Sequence, residues 1–359
     1  MSQPPYPFLF RPVYKPYPWG GDRFARLLGR ALPPDPCAES WEIADRPEGM
    51  SILTNGPLAG RTLRDLVREL GPALLGDASR AERFPLLVKL IDARERTSLQ
   101  VHPDEEGARR VGGEAKAEFW YALEGTRDAR VFAGLAPGIN RAAFEVALAE
   151  RRLEPALREI PIRAGEAVSI PGGRMHAIDA GCFLYEVQQS SDTTLRFYDW
   201  GRNDPDRPLH IAESLKVVDT GSHGYHKIRP VALAPVAGVA RSIRVATSYF
   251  VLVEYSFAAS AEIALADVGS FSGLTCLDGA IRIAAEAEKS ILTKGRSTLL
   301  PASLGSLRIG AEAGSRCIVS WIPDLKRDVV DPLKKLGVDR DTIVQLSGNP
   351  CRGDLLRLM

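Results

Sequence analysis

Short apolar runs bounded by Gly, Pro and Asp recur along the sequence, and they restrict the fold more than any other feature. Such runs have the length and composition of β-strands, and many short strands separated by turns are typical of a β-sandwich or β-barrel. The chain has 32 glycines and 26 prolines to form the turns. The pattern predicts strands at residues 84–91, 118–123, 129–133, 167–170, 183–188, 249–257, 262–266, 273–278, 281–284, 297–300 and 317–322.

Two segments have helical rather than alternating spacing. The first covers about residues 61–83, where residues 61–75 form an amphipathic pattern with Thr62 as N-cap and Gly71 as the end. The second covers about residues 141–159, where apolar residues recur at helical intervals among charged ones. The sequence therefore predicts a mainly β protein with a small α-helical insertion.

Size and composition are those of an ordinary globular protein with more than one core. The 359 residues are 45% hydrophobic and 25% charged, and 46 basic residues balance 45 acidic ones. The formal charge of +1 argues against a nucleic-acid partner or a membrane surface. The N-terminus lacks the pattern of a signal peptide, and five scattered cysteines form no C-x-x-C pair. We expect a cytoplasmic protein with reduced thiols, and small polar substrates remain open.

One spacing occurs twice in the chain. Gly165 is followed six residues later by Pro171 and five residues after that by His176. Gly295 is followed at the same intervals by Pro301 and Ser306. Two copies of one strand–turn–strand unit would give two barrels, of which only the first keeps the histidine. The alternative is coincidence in a chain rich in Gly and Pro.

Four residues are candidate ligands of a single metal ion: Gln100, His102, Glu118 and His176. Gln100 and His102 are two residues apart on a predicted strand and therefore point to the same side. His176 follows a Pro-Gly-Gly turn, and the spacing from Gly165 resembles the second metal-binding motif of the cupin superfamily. One carboxylate leaves a divalent ion with a net charge near +1, which suits a Lewis acid. The alternatives are an exposed loop histidine and a hydrogen-bonded structural glutamine.

Seven motifs in order resemble the type I mannose-6-phosphate isomerases, in their compact bacterial form. They cover roughly the first 210 residues and are Tyr-Pro-Trp-Gly-Gly (17–21), Glu-Ser-Trp-Glu (39–42), Leu-Leu-Val-Lys-Leu-Ile-Asp-Ala (86–93), Ser-Leu-Gln-Val-His-Pro-Asp (98–104), Lys-Ala-Glu-Phe-Trp-Tyr (116–121), Ile-Pro-Gly-Gly-Arg-Met-His-Ala-Ile (170–178) and the run from Glu186 to Trp200.

This resemblance implies a fold, an activity and a set of site residues. The fold would be two cupin (jelly-roll) β-barrels, with a catalytic domain at residues 1–235, a metal-free cupin-like domain at 236–325 and an extension at 326–359. The activity would be zinc-dependent interconversion of mannose 6-phosphate and fructose 6-phosphate, with one Zn²⁺ per chain. The family pattern assigns the zinc to Gln100, His102, Glu118 and His176, the active-site arginine to Arg196, a pocket lysine to Lys116, the proton-carrying carboxylate to Glu186, and cavity positions to Glu39 and Ser98.

The chemistry of an aldose–ketose conversion agrees with these assignments. A proton leaves C2 and returns to C1 through a cis-enediol, so the site needs a base and stabilisation of charge on O1 and O2. The substrate phosphate needs cations, for which Arg196, Lys116 and Arg202 are candidates. The alternative is that the arginines pair with nearby aspartates and that Lys116 is a solvated residue at a strand end.

Several readings of function, assembly and the C-terminus stay open at this point. An iron or manganese cupin oxygenase would keep the metal, and a sugar-phosphate-binding cupin without catalysis would keep the pocket. We expect a monomer or weak dimer. The C-terminal extension is either docked or loosely held, with short helices near residues 332–336 and 342–346. His210, His223 and His226 lie outside the motifs and are expected to be surface or core residues.

Overall fold

The protein is described by a computed structural model covering residues 6–33, 36–78, 81–202, 204–205, 207–221, 227–285, 289–305, 307–349 and 351–359. Strands predominate over helices in this part of the chain, so the mainly β prediction is confirmed. The helices of the described residues include none that is long and apolar enough to cross a membrane.

The strands of the first two thirds of the chain are β1 (Phe8–Arg11), β2 (Val13–Lys15), β3 (Glu39–Ile43), β4 (Asp45–Arg46), β5 (Gly49–Met50), β6 (Ile52–Leu53), β7 (Leu86–Ala93), β8 (Leu99–Val101), β9 (Glu118–Gly125), β10 (Arg130–Leu135), β11 (Leu157–Pro161), β12 (Ala167–Ile170), β13 (His176–Ile178), β14 (Cys182–Gln189) and β15 (Leu195–Tyr198). The later strands are β16 (Val231–Val236), β17 (Val239–Ala246), β18 (Val251–Phe257), β19 (Ala261–Leu265), β20 (Ser272–Asp278), β21 (Ala280–Ala284), β22 (Lys289–Thr293), β23 (Ser297–Leu300), β24 (Leu307–Ala311) and β25 (Arg316–Trp321).

The α-helices are α1 (Arg23–Leu28), α2 (Leu63–Leu70), α3 (Pro72–Leu75), α4 (Glu105–Val111), α5 (Arg141–Ala149), α6 (Ile211–Val217), α7 (Asp331–Lys335) and α8 (Arg340–Val344). Shorter helical turns are the 3-10 helices Glu154–Ala156, Ala302–Leu304, Gln345–Ser347 and Asp354–Leu358 and the π-helical turn Lys326–Val330.

The chain forms two compact units, each assembled from separate segments. The site unit comprises Tyr14–Glu39 and Leu90–Ile228, and the second unit comprises Met1–Val13, Ser40–Lys89 and Arg229–Met359. The two units are defined by the contacts that residues make with one another. The predicted boundaries near residues 235 and 325 were drawn for two β-barrels instead, and they stay a prediction.

The site unit has two sheets with an apolar layer between them. One sheet has the order β11-β10-β13-β8-β15, and the other contains the order β12-β9-β14-β7. Alternate residues of both sheets fill the space between them, including Ile178, Trp120, Val168 and Leu184. A second apolar layer, with Phe144 on α5 and Val217 on α6, covers the opposite face of the first sheet.

The second unit also contains two main sheets. One has the order β16-β17-β18-β25-β20-β23-β1-β6, and the other has the order β19-β24-β21-β22. Its ladders are antiparallel, as in the pairing of Cys276 on β20 with Cys317 on β25. Ser306, the predicted counterpart of His176, lies outside the described residues, as do His223 and His226.

The predicted helices are correct at their beginnings and wrong in their length. Thr62 caps α2 in a capping box with Asp65 and Gly71 ends it, as predicted, but in the described residues of the 61–83 segment helical structure ends at Leu75. The segment predicted as helical over 141–159 is α-helical only to Ala149 and contains one further 3-10 turn at Glu154–Ala156. The chain there enters the left-handed region at Arg151, Pro155 lacks an amide hydrogen, and Leu157–Pro161 pairs with β10 as a strand.

The C-terminal extension is docked rather than loose. Val329, Leu333, Ile343 and Leu355 are buried, and both short helices form where the sequence predicts them. The Gln345 amide pairs with the backbone of residue 229, accepting from its N–H at 3.0 Å and donating to its carbonyl at 2.8 Å. This segment is therefore part of the second unit.

Candidate active site

The interior of the site unit changes from apolar to polar along its strands. Ile178 on β13, Ala122 on β9 and Leu184 on β14 belong to the apolar layer. The polar residues His176, Glu118 and Glu186 lie two or four positions away from these apolar residues on the same strands and on the same face. All three are buried, with exposed fractions of 0%, 2% and 2%. Buried polar groups that converge in this way are candidates for a functional site.

Three side chains at this polar end form a potential metal site. One ligand atom each from His102, Glu118 and His176 lies within 4.8 Å of the other two. Nε2 of His102 is 3.1 Å from Oε1 of Glu118, and Nε2 of His176 is 3.6 Å from Oε2. The two imidazole rings lie side by side, with 4.7 Å between their centroids.

The two imidazoles are oriented as ligands of a metal ion would be. Nδ1 of His102 lies 2.8 Å from the carbonyl of Thr193, and Nδ1 of His176 lies 2.8 Å from the carbonyl of Arg174. A carbonyl only accepts, so Nδ1 carries the proton and Nε2 presents a lone pair. In the described part of the chain neither Nε2 makes a well-directed hydrogen bond. These residues fit a divalent cation such as Zn²⁺.

A close backbone approach brings the two histidine-bearing segments together. The amide of Gly173 donates to the carbonyl of His102 at 2.7 Å. A Cβ atom at Gly172 would stand 2.6 Å from Cα of Asp104, so only glycine fits at this position. The Pro-Gly-Gly turn thus holds the strand that begins at His176 against the loop after β8.

Electrostatics keep the three groups in the protonation states that bind metals. Burial, assisted by Lys116, lowers the pKa of His102 to about 3, and burial also lowers the pKa of His176. Burial alone would raise the pKa of Glu118, but Lys116 and the two histidines hold it well below its usual range. Nζ of Lys116 is 3.0 Å from Oε1 of Glu118. Near neutral pH the site offers two neutral imidazoles and one carboxylate.

A second buried carboxylate, that of Glu186, lies on the same interior face. In the sheet register Glu186 is opposite Trp120, and Gln188 is opposite Glu118. Oε2 of Glu186 accepts a hydrogen bond from Nε1 of Trp120 at 2.8 Å. The Trp120 ring also meets the His176 ring edge to face, with 5.3 Å between centroids.

Arg196 is available to an anionic ligand. It lies directly opposite Gln100 in the sheet, and Gln100 is also opposite His176, so the three residues share a face. Among the described residues no carboxylate pairs with the half-buried Arg196 guanidinium, and its Nε has no hydrogen-bond partner. Burial and the neighbouring Arg207 lower the pKa of Arg196 below its usual range.

Comparison with known proteins gives the family. A model of the type I phosphomannose isomerase catalytic domain matches residues 8–129. Mannose-6-phosphate isomerase of Streptococcus mutans is 32% identical over 309 residues, which are 83% of this chain and 95% of that protein. The chain belongs to the type I mannose-6-phosphate isomerase family.

Further members of the mannose-6-phosphate isomerase family agree with this assignment. ManA of Bacillus subtilis is 31% identical over 328 residues, or 88% of this chain and 99% of ManA. The crystal structure of the Bacillus subtilis enzyme matches with a TM-score of 0.80 and 30% identity, over 88% of this chain and 99% of that one. A mannose 6-phosphate isomerase structure with zinc and yttrium shares the fold, with a TM-score of 0.70 at 18% identity.

The other site residues predicted from the family resemblance differ from one another in burial and in their hydrogen-bond partners. Lys116 is buried against Glu118 and is not a solvated residue. Ser98 is buried two residues before Gln100, and Glu39 is half-buried at the start of β3. Arg202 donates to Oδ1 of Asp199 at 2.5 Å and to the carbonyl of residue 96 at 2.8 Å. These guanidinium N–H groups therefore stabilise the loop, and the role of Arg202 as a phosphate ligand stays a prediction.

Two residues near Arg196 were not found by sequence reasoning. The amide of His210 donates to the Arg196 carbonyl at 2.7 Å, and the Arg196 amide lies 3.3 Å from Nδ1 of His210, so this residue holds β15 in place. The Arg207 guanidinium lies 5.9 Å from the centroid of the Tyr17 ring and acts electrostatically on Arg196. The spacing of residues along the sequence predicts neither contact, although Tyr17 is part of a family motif.

Proposed function

We propose that this chain is a zinc-dependent aldose–ketose isomerase that interconverts mannose 6-phosphate and fructose 6-phosphate through a cis-enediol. The observation that carries the proposal is the buried cluster of His102, Glu118 and His176, with the carboxylate of Glu186 on the same interior face. Membership of the mannose-6-phosphate isomerase family supports the substrate.

We assign one zinc ion per chain to His102, Glu118, His176 and, as fourth ligand, Gln100. Gln100 is opposite His176 in the sheet register, which brings its amide to the same face. When bound, zinc supplies a Lewis acid that polarises the sugar carbonyl and hydroxyl oxygens. The presence of zinc in a solved mannose 6-phosphate isomerase of the same fold supports this choice of metal.

Side chains of the protein would carry out proton transfer, charge stabilisation and substrate binding. Glu186 takes the C2 proton and returns it to C1, since it is a buried carboxylate held in one orientation by Trp120. Arg196 stabilises the negative charge that develops on the substrate, because its guanidinium is not paired with a carboxylate in the described residues. Lys116 holds Glu118 ionised and adds positive charge to the pocket. Ser98, Glu39 and Arg202 are assigned to the walls of the same cavity.

The same proposal includes the fold, the cellular location and the oligomeric state. We assign the two sheets of the site unit to one cupin barrel and those of the second unit, which includes residues 1–13 and 40–89, to the other. On this assignment the chain leaves the first barrel for the last time near residue 235, and the C-terminal extension begins near residue 325. Each unit has two sheets, as such barrels require. Sugar phosphates are charged metabolites that do not cross membranes unaided, so we place the activity in the cytoplasm, in a monomer or weak dimer.

The test combines metal analysis with an isomerase assay. Formation of fructose 6-phosphate from mannose 6-phosphate is followed with a coupling enzyme, before and after chelation and after zinc is restored. We expect activity to disappear with the metal and to return with zinc. His176→Ala should lose both zinc and activity. Met175→Leu, which changes the adjacent side chain in the apolar layer behind the sheet, should keep both.

Two outcomes would contradict the proposal. A zinc-loaded protein that binds mannose 6-phosphate without converting it would favour a sugar-phosphate-binding cupin. Activity that survives complete metal removal would exclude a metal-dependent mechanism.

A further inference from the structure

Trp120 touches two functional groups of the proposed site at once. Its side chain is 1% exposed and lies in the apolar layer between the two sheets. Its indole Nε1 donates to Oε2 of Glu186 at 2.8 Å. Its ring meets the ring of His176 edge to face, with 5.3 Å between centroids and 77° between planes.

The two contacts restrict two different motions. The terminal torsion of a glutamate is broad, so the carboxylate of Glu186 needs a fixed donor to hold one orientation. The indole N–H is such a donor, and a hydrogen bond to an ionised acceptor is stronger than a neutral one. The edge-to-face contact restricts rotation of the His176 ring, whose Nδ1 is already bound to the Arg174 carbonyl.

Neighbouring aromatic residues cannot replace Trp120. Phe119 and Tyr121 flank it on β9, and strand alternation directs both of them to the other face of the sheet. Of the residues between Glu118 and Tyr121, only Trp120 shares the interior face with the ligand Glu118. It also lies opposite Glu186 in the register.

We propose that Trp120 is a positioning residue that fixes the Glu186 carboxylate in relation to the metal ligand His176. This inference rests on the proposed function, because Glu186 needs a defined orientation only if it transfers the proton. The indole matters in two ways, through the N–H for Glu186 and through the ring for His176.

The test removes the N–H and keeps an aromatic ring. Trp120→Phe should retain zinc and a KM within about twofold of the wild type, while kcat falls about 10- to 100-fold, the range for one hydrogen bond to a charged group. Trp321→Phe is the matched control. Nε1 of Trp321 also donates to a carboxylate, Oδ2 of Asp328 at 3.3 Å, but in the second unit, so kcat should not change.

A double-mutant cycle separates positioning from general support. In a Glu186→Asp background, the shortened carboxylate no longer reaches the indole, and adding Trp120→Phe should lower kcat less than threefold further. If Trp120→Phe does not fold, as judged by thermal unfolding, replacement of Trp120 by benzothienylalanine removes the N–H with almost no change in shape.

The outcomes are distinct. Wild-type kcat in a folded Trp120→Phe protein, a loss of zinc in that protein, or full additivity with Glu186→Asp would each overturn the positioning role. Zinc-loaded wild-type protein without isomerase activity would overturn the proposed function and this inference with it. An active wild type with an unaffected Trp120 variant would overturn the inference alone.

Discussion

Mild acid is expected to destabilise the metal-free protein because two buried imidazoles resist protonation. Burial, with Lys116 nearby, lowers the pKa of His102 to about 3, and burial lowers that of His176 as well. In the unfolded chain both titrate near 6.5. Below that pH the unfolded state binds more protons than the folded state, so stability falls as pH falls. The loss begins near pH 6.5 and continues towards the folded-state pKa values. Because the pKa of Glu118 lies below its usual range, Glu118 adds a loss only in more acidic solution.

The size of the effect follows from the two groups. Each histidine costs about 1.4 kcal/mol per pH unit between its unfolded-state and folded-state pKa, so His102 alone should remove about 1.4 kcal/mol of stability between pH 7.5 and pH 5.5, and His176 should add to this loss. Urea unfolding of the chelator-treated protein at both pH values measures this difference. The double variant His102→Asn/His176→Asn is the control, since it keeps all other titrating groups. Equal losses of stability in the two proteins would show that the two histidines are not the source of the pH dependence.

Three substitutions test other parts of the structure. Arg196→Lys should keep zinc but lower kcat by about 100-fold in the isomerase assay, because one ammonium cannot reproduce the fork of a guanidinium; unchanged kcat would remove Arg196 from the mechanism. Gly172→Ala should lower zinc content, measured by metal analysis, because its methyl group would meet the backbone of Asp104; full zinc occupancy would contradict the close approach. Asp92→Asn should cost about 3 kcal/mol of unfolding free energy in urea, because it breaks the buried ion pair of Asp92 with Arg23 at 2.7 Å; a loss below 1 kcal/mol would show that water reaches this pair.

Each of the eleven predicted strand segments overlaps an observed strand, because alternation and turn residues act over a few positions, whereas other strands such as β11, β16 and β17 were not predicted. The strands at 167–170 and 297–300 have the predicted bounds, and each follows a glycine with a positive φ, Gly165 and Gly295. The helix predicted over 141–159 failed after Ala149 because pairing of Leu157–Pro161 with β10 overrides the apolar spacing. Such pairing is a long-range contact that periodicity does not report.

Part of the candidate site was predictable from the sequence, but the contacts among its residues were not. Motif order predicted that the two histidines and Glu118 lie together, and in the structure one ligand atom of each lies within 4.8 Å of the other two. The hydrogen bond from Trp120 to Glu186 depends on the register of β9 and β14, and the support of Arg196 by His210 depends on the path of a loop. Neither the register of distant strands nor a loop path is encoded in local spacing. The assembly of each compact unit from separate segments is unpredictable for the same reason.

A zinc titration of metal-free protein, with fructose 6-phosphate formation as the readout, tests most directly whether this cluster holds a catalytic zinc ion. If His102, Glu118 and His176 hold the catalytic ion, activity should rise in proportion to added zinc and level off at one zinc per chain. The His176→Ala variant should stay inactive throughout the titration. Full activity before any zinc is added, or a rise that continues well beyond one equivalent, would show that the cluster does not hold a single catalytic zinc ion.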